Sequence, residues 1–224
     1  MALAESLTAV GTTALTRSGG RPLGGHLFTL AAGAPFAATV LPVRCAPGDN
    51  LAIHVAVAQA PQGAALVVDA AADPEYGYVD EILAVAAAMR GLAAIVIDGC
   101  VRDVAAIART GLPVVAAGVS VRTAGHDAGG AVGQEVFMAG EPAPTGVRRG
   151  DWIVADDDGV VCLPRGRVAA IVDETLRAVS RDEEILAAVC SGGSTLDLLH
   201  LDPTRVAGWD GGRRPAPTSA ERAG

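Results

Sequence analysis

The residues best suited to chemistry are Arg102 and Asp103, which end the run IDGCVRD directly after a short apolar stretch. An arginine can bind a carboxylate through charge-assisted hydrogen bonds or polarise a carbonyl oxygen, and an aspartate can bind a divalent cation. The same pair also fits a solvated salt bridge at the start of a helix, where aspartate is a good cap. Taken alone, the residues leave both interpretations open.

A second acidic group lies upstream, where Asp80 and Glu81 begin an apolar helical pattern. The first backbone N–H groups of a helix form a pocket for an anion such as a substrate carboxylate. Twenty residues separate Glu81 from Arg102. If both segments reach one edge of a sheet, Glu81, Arg102 and Asp103 converge on one site. An ordinary capped helix with an acidic first turn also explains this segment.

Alternating strand and helix patterns position these residues. Three apolar runs are typical of buried parallel strands and lie at residues 65–69, 93–97 and 113–117. Helical patterns lie at residues 51–60, 81–90 and 103–108. This order predicts right-handed crossovers and a parallel sheet, in which ligands bind beyond the carboxyl ends of the strands. We expect a turn at Asp98-Gly99 and a loop over residues 98–103 at that edge.

The rest of the chain is simpler. Apolar runs at 152–155 and 160–163 flank an Asp-Gly pair and predict a β-hairpin, and residues 167–188 have helical spacing. Proline and glycine become frequent after residue 202. We therefore expect one domain over residues 1–202, followed by a loose tail over residues 203–224.

Composition excludes several classes of function. The 224 residues carry a net charge of −8, so they would repel nucleic acid, and the seventeen basic residues are all arginine. Without lysine, Schiff-base, pyridoxal-phosphate and P-loop chemistry cannot be built. No apolar run approaches the roughly 18 residues of a membrane span, and no signal peptide is recognisable. The four scattered cysteines fit a reducing compartment, so we expect a cytoplasmic protein without nucleic-acid or membrane partners.

Three longer runs resemble the RraA-like family, and more narrowly its 4-hydroxy-4-methyl-2-oxoglutarate aldolases, the class II pyruvate aldolases. The runs are GDNLAIHVAVAQAPQGAALVVD, EILAVAAAMRGLAAIVIDGCVRD and DWIVADDDGVVCLP. The resemblance covers roughly residues 30–190 in consistent order, which is more specific than a single motif. It implies an α/β fold, a compact α/β/β swivelling (phosphohistidine-like) domain with a parallel-strand core, assembled as homotrimers or hexamers.

The resemblance also implies roles for individual residues. The family aldolases carry an acidic residue, twenty spacer residues and then Arg-Asp, as Glu81, Arg102 and Asp103 stand here. By this resemblance Asp103 would ligate Mg²⁺ or Mn²⁺, Arg102 would contact the keto-acid oxygen, and Glu81 would order metal-bound water. Backbone amides at the helix start would hold the pyruvate carboxylate. The substrate-binding residues implied are Asp80, Glu81, Ile82, Leu83 and Arg102.

Two departures from the family pattern affect the site. Family aldolases often have another acidic residue three positions after the Arg-Asp aspartate, where this chain has Ala106. The family also implies a glutamate from a neighbouring subunit, which Glu183 or Glu184 could supply.

We therefore expect a divalent-metal-dependent lyase that cleaves 4-hydroxy-2-oxo dicarboxylates to pyruvate, with a small 2-keto acid as substrate. Oxaloacetate decarboxylation passes through the same enolate and is the expected side activity. The alternative is a non-enzymatic protein-binding regulator like the RraA inhibitors of RNase E, which share the fold. Asp103 discriminates the two, because the regulators lack a carboxylate there. An inactive paralogue is a third alternative, suggested by Ala106.

Overall fold

Short apolar runs form the strands of a mixed sheet in the computed structural model, which describes residues 3–31, 35–140 and 143–209. The strands are β1 (Arg21–Pro22), β2 (Phe28–Ala31), β3 (Phe36–Cys45), β4 (Ala64–Val79), β5 (Ala94–Val101), β6 (Val114–Val119), β7 (Gly130–Val132), β8 (Val136–Met138), β9 (Thr145–Val147), β10 (Trp152–Asp156) and β11 (Gly159–Leu163). The helices are α1 (Leu3–Val10), α2 (Thr12–Arg17), α3 (Leu51–Gln59), α4 (Glu81–Met89), α5 (Val104–Arg109), α6 (Val168–Cys190) and α7 (Thr195–Leu198), and a 3₁₀ turn covers Pro203–Arg205.

The centre of the sheet is parallel, as the sequence predicts. Within the described residues the strand order is β1-β11-β10-β3-β4-β5-β6-β2, with β7 also paired to β3, while β8 and β9 form a separate ribbon. Strands β3, β4, β5 and β6 run parallel to one another, and β10 and β11 form the predicted antiparallel hairpin. The α/β expectation with a parallel-strand core is confirmed.

Both faces of the central strands are buried. Ile95 and Ile97 of β5 pack with apolar residues of α3, α4 and α5, whereas Ala94 and Val96 belong to a second cluster with β8, β9, β10 and β11. Because successive side chains of a strand point to opposite faces, a strand covered on both sides must be apolar throughout. This requirement explains why residues 94–97 of β5 form a continuous apolar run.

The predicted turn at Asp98-Gly99 and loop over residues 98–103 are wrong. Strand β5 continues through both residues to Val101, because its partner β4 also continues, through several bulges, and pairs with it to the end. Asp98 is buried inside the sheet, and its Oδ1 lies 2.8 Å from Nε2 of His26. Pairing with β4 overrides the local turn preference of Asp-Gly. The connection to α5 therefore consists of Arg102 and Asp103 alone.

The chain forms two compact units, residues 1–179 and 180–224. The described part of the second unit holds the last turns of α6, helix α7 and the 3₁₀ turn, and none of residues 180–209 is buried. A single domain over residues 1–202 stays a prediction, and most of the predicted tail, residues 210–224, lies outside the described residues. No helix in the described ranges combines the length and the apolar character that crossing a membrane would need.

Candidate functional site

Strand pairing brings the two polar segments together. The backbone N–H of Arg102 donates to the carbonyl oxygen of Val79 at 2.9 Å, so β4 and β5 end side by side. Asp80 follows β4 directly and Arg102 follows β5 directly. Residues 22 positions apart in the chain are thereby neighbours at the carboxyl edge of the sheet, where α/β proteins bind ligands.

Arg102 is held between two carboxylates. Its Nη2 donates to Asp80 Oδ2 at 2.9 Å, and its Nε lies 3.9 Å from Asp103 Oδ2. Its side chain remains 28% exposed, which leaves part of the guanidinium open to solvent. An arginine has five N–H donors in one plane. The remaining donors can therefore serve an anionic or carbonyl ligand while the ion pair with Asp80 persists.

Asp80 caps helix α4. Its Oδ1 accepts the backbone N–H of Leu83 at 2.9 Å, the usual arrangement of an N-cap aspartate. The Leu83 amide, one of those implied for the substrate carboxylate, is thus used by the cap in this structure. The earlier amides of α4, on Glu81 and Ile82, stand at the same helix end. The substrate-binding role of residues 80–83 stays a prediction.

Asp103 has a conformation that ordinary residues avoid. Its backbone is left-handed, with φ 58° and ψ 36°, at a cost of about 1 kcal/mol for a non-glycine residue. It occupies the N-cap position of α5, but its side chain makes no capping hydrogen bond and is 42% exposed. The salt bridge between Arg102 and Asp103 at a helix start, which the sequence also suggests, is therefore present, but the Asp103 side chain does not cap the helix. The carboxylate contributes nothing to the cap and is accessible to a ligand.

The donor set around Asp103 fits a hard cation held loosely. Mg²⁺ commonly binds through one or two carboxylates and keeps several waters. In the part of the chain that the structure describes, no group of three or more His, Cys, Asp or Glu side chains could enclose a metal. Asp103 offers an exposed carboxylate that could bind Mg²⁺ or Mn²⁺, and its role as ligand stays a prediction.

Glu81 is the first residue of α4, and its side chain approaches helix α5. Its Oε1 is 3.8 Å from Nη2 of Arg109, and both side chains are largely exposed. The predicted convergence thus involves a different acidic residue, because Asp80 and not Glu81 pairs with Arg102. Exposed pairs at this distance contribute little to stability, so Glu81 is free to serve a ligand. Its catalytic role remains a prediction.

Sequence reasoning missed Gly77, a close neighbour of Arg102. A Cβ atom on Gly77 would lie 2.7 Å from the carbonyl oxygen of Ser120 and 2.9 Å from Cβ of Arg102, so a side chain there would displace the arginine. A lone glycine within a strand often marks such a close approach, and the YGY run of β4 carries this signal.

Asn50 is a further polar group near the end of β4. Its Nδ2 donates to the carbonyl oxygen of Tyr78 at 2.9 Å. Its Oδ1 is buried and has no hydrogen-bond partner among the described residues. Buried polar atoms are nearly always paired, so this oxygen is available to a water or ligand. Asn50 occupies the N-cap position of α3, where its side chain makes no capping hydrogen bond.

Asp49 fixes the start of α3, and with it Asn50. Its Oδ1 accepts the Leu51 N–H at 3.0 Å, and its Oδ2 accepts those of Asp127 and Ala128 at 2.5 and 2.8 Å. Burial by itself raises the pKa of Asp49, but the backbone hydrogen bonds outweigh it, and the net pKa is lowered. The carboxylate therefore stabilises the fold fully above its unfolded-state pKa, near 3.9.

We expect Asp49→Asn to lower the free energy of unfolding by about 2 kcal/mol at pH 7, because an amide offers one acceptor in place of two. As pH falls below about 4 and through the lower folded-state pKa, the wild type loses this advantage and the difference should shrink. Urea unfolding at pH 7 and at pH 3 measures it. The control is Asp127→Asn, which changes an exposed carboxylate on the loop whose backbone N–H groups donate to Asp49. A difference that does not change with pH would contradict the role of the Asp49 charge.

Comparison with known proteins gives consistent matches. A family model described as RraA-like, Aldolase/RraA, matches residues 10–162. A Burkholderia multivorans protein named "Putative 4-hydroxy-4-methyl-2-oxoglutarate aldolase" is 32% identical, over 70% of this chain and 88% of that protein. One of the same name from Halalkalibacterium halodurans is 29% identical, over 63% of this chain and 65% of that protein. The match to Legionella pneumophila Protein DlpA, at 28% identity, covers 63% of this chain and 22% of DlpA. The chain thus spans less than two thirds of the last two relatives.

Solved structures show the same fold. Streptomyces coelicolor RraAS2, described as an unusual member of the RNase ES inhibitor RraA protein family, has a TM-score of 0.69 at 24% identity, over 81% of this chain and 93% of that one. The RNA-processing inhibitor RraA from Thermus thermophilis has a TM-score of 0.62 at 24% identity, over 68% of this chain and 92% of that one. At this identity the likeness extends to the fold and not to the function.

Proposed function

Because the chain belongs to the RraA-like family, we propose that it is a divalent-metal-dependent aldolase that cleaves 4-hydroxy-2-oxo dicarboxylates to pyruvate. Decarboxylation of oxaloacetate is the proposed side activity. The main support is the juxtaposition of Arg102 with Asp103, whose carboxylate is exposed and takes no part in helix capping. The aldolase names of the relatives give a second, independent support.

Individual residues of this chain would have separate roles in the reaction. The substrate loses its C4 hydroxyl proton, its C3–C4 bond breaks, and C4 becomes the carbonyl carbon of a second oxo acid. The electron pair of the broken bond passes into the enolate of pyruvate, which takes up a proton at C3. The open donors of Arg102 would stabilise the negative charge that develops on the C2 oxygen. Amides at the start of α4 would hold the pyruvate carboxylate. Glu81, beside that helix end, would orient water for the proton transfers.

Asp103 would hold the Mg²⁺ or Mn²⁺. When bound, such a cation supplies positive charge to polarise the keto group. A single carboxylate with waters binds a hard cation weakly and exchangeably. The chain contains no lysine, so the Schiff-base route to the same bond cleavage is closed.

Release of pyruvate from oxaloacetate tests this function. We expect turnover with Mg²⁺ or Mn²⁺, loss of turnover in excess EDTA, and recovery when the cation is restored, because the site has one carboxylate and exchanges its metal. Free cations also promote this decarboxylation, so metal without protein is the control. Turnover that persists unchanged in excess chelator would refute the metal dependence.

We further propose that the protein works as a homotrimer or hexamer with sites at subunit boundaries. Helix α4 exposes a stripe of Ile82, Val85 and Met89 directly beside the site, and Ile82 and Met89 are 72% and 83% exposed. Residues at this spacing share one face of a helix, and an exposed apolar stripe is typical of an interface. A neighbouring copy could then add an acidic residue, Glu183 or Glu184, to the site.

Met89→Glu should dissociate the assembly and reduce turnover, because a charge would be placed in an apolar contact. Analytical ultracentrifugation at micromolar concentration, with an activity assay on the same sample, measures both. A fully active, stable wild-type monomer would be incompatible with shared sites.

The regulator alternative is less well supported. Proteins such as the two RraA structures share the fold, but this chain has an accessible carboxylate at Asp103, which the aldolase reaction requires. We place the reaction in the cytoplasm, because Cys45, Cys100, Cys162 and Cys190 are all free thiols. With a net charge of −8, no nucleic-acid partner is proposed.

A further inference from the structure

Asp80 occupies two donors that the proposed reaction would otherwise offer to its substrate. One oxygen accepts the Leu83 amide at the start of α4, and the other accepts Nη2 of Arg102 after β5, each at 2.9 Å. The Asp80 side chain is only 16% exposed. The carboxylate thus links the start of α4 directly to Arg102. Along the chain these two points are connected only through the rest of α4 and through β5.

Only a carboxylate can make both bonds, because each of its oxygens accepts hydrogen bonds, whereas an amide has one oxygen and one donor group. The rest of Arg102 is also confined. The stem of Arg102 lies against Gly77, where a Cβ would be 2.9 Å from its own Cβ, and its Nε lies 3.9 Å from Asp103 Oδ2. The guanidinium plane is therefore set by contacts on several sides, and the bond to Asp80 is the shortest of its polar contacts.

We propose that Asp80 is a positioning residue, which fixes the plane of the Arg102 guanidinium beside Asp103 before the substrate binds. This inference rests on the proposed function and assigns Asp80 a different role within it. A substrate carboxylate would be repelled by Asp80, so it would use the first amides of α4 and the open donors of Arg102. A planar donor fork binds well only in the correct orientation, so its alignment affects the rate more than substrate binding.

Two substitutions separate capping from positioning. Asp80→Asn keeps the shape and a preferred N-cap residue but loses the second acceptor, so we expect a melting temperature close to the wild type and a tenfold or greater fall in kcat with little change in KM. Asp80→Glu keeps a carboxylate within reach of the partly exposed Arg102 but is a poorer cap. It should lower the melting temperature by a few degrees and retain kcat within about threefold.

Labelling with phenylglyoxal, mapped by mass spectrometry, follows Arg102 independently of activity. The chain has no lysine to compete for the reagent. We expect Arg102 to react several-fold faster in Asp80→Asn than in the wild type or in Asp80→Glu. Glu135→Gln is the matched control, because it releases Arg148 from a 2.8 Å ion pair of similar length and should speed labelling of Arg148 alone.

The outcomes separate the two proposals. Equal labelling of Arg102 in the wild type and Asp80→Asn would overturn the claim that Asp80 holds the arginine. Faster labelling with unchanged kcat would overturn the positioning role. A wild type without turnover on oxaloacetate or a 4-hydroxy-2-oxo dicarboxylate would refute the proposed function and the catalytic part of this inference, while the labelling result still decides whether Asp80 restrains Arg102.

Discussion

Asp103→Asn should abolish nearly all turnover while the protein stays folded. The amide keeps the size and hydrogen bonding of the carboxylate but removes the negative charge that would hold the cation. The fold should tolerate the change, because the side chain is 42% exposed and makes no capping bond. Asparagine also accepts the left-handed backbone of this position. A fall of at least about a hundredfold in kcat is expected for the loss of this electrostatic interaction.

Two measurements check the Asp103 prediction, namely pyruvate release and the affinity for Mn²⁺ measured by titration calorimetry. Both should fall together, while the melting temperature changes little. Asp157→Asn, an exposed aspartate in the turn between β10 and β11, is the control and should leave activity and metal affinity unchanged. An Asp103→Asn protein that binds Mn²⁺ like the wild type would contradict the ligand assignment.

Arg102→Lys should lower kcat/KM by about a hundredfold, equivalent to about 3 kcal/mol, with metal binding intact. Lysine keeps the positive charge but replaces a planar fork by a point ammonium on a flexible stem. The geometry gives the reason, because the Arg102 guanidinium reaches Asp80 with Nη2 and lies 3.9 Å from Asp103 with Nε, and the side chain is still 28% exposed. A single ammonium group cannot keep this geometry.

Inhibition by oxalate, which mimics the enolate of pyruvate, gives a second measurement for Arg102→Lys. Oxalate should bind more weakly to the variant, whereas Mn²⁺ affinity should match the wild type. If Arg102→Lys behaves like the wild type while Asp103→Asn is inactive, the metal assignment stands and the role of Arg102 is wrong. If both variants retain wild-type activity, the site lies elsewhere in the protein.

Local patterns were sufficient to predict much of the architecture. The apolar runs predict the starts of β4, β5 and β6, the Asp-Gly pair predicts the hairpin of β10 and β11, and the acidic cap predicts α4. These features depend on side-chain periodicity and capping within a few residues, which a single segment contains. The adjacency of Arg102 and Asp103, and their place after a central strand, are likewise readable from the chain alone.

The contacts that define the site were decided by the tertiary structure. Strand β5 runs through Asp98-Gly99 because β4 pairs with both residues, and no local pattern reports that pairing. The register of β4 against β5 then places Asp80, rather than Glu81, on Arg102. An ion pair between residues 22 positions apart depends on where two strands end, and strand ends are set by partners distant in sequence. The residue types at the site are therefore legible in the sequence, whereas which acid holds the arginine follows only from packing of the sheet.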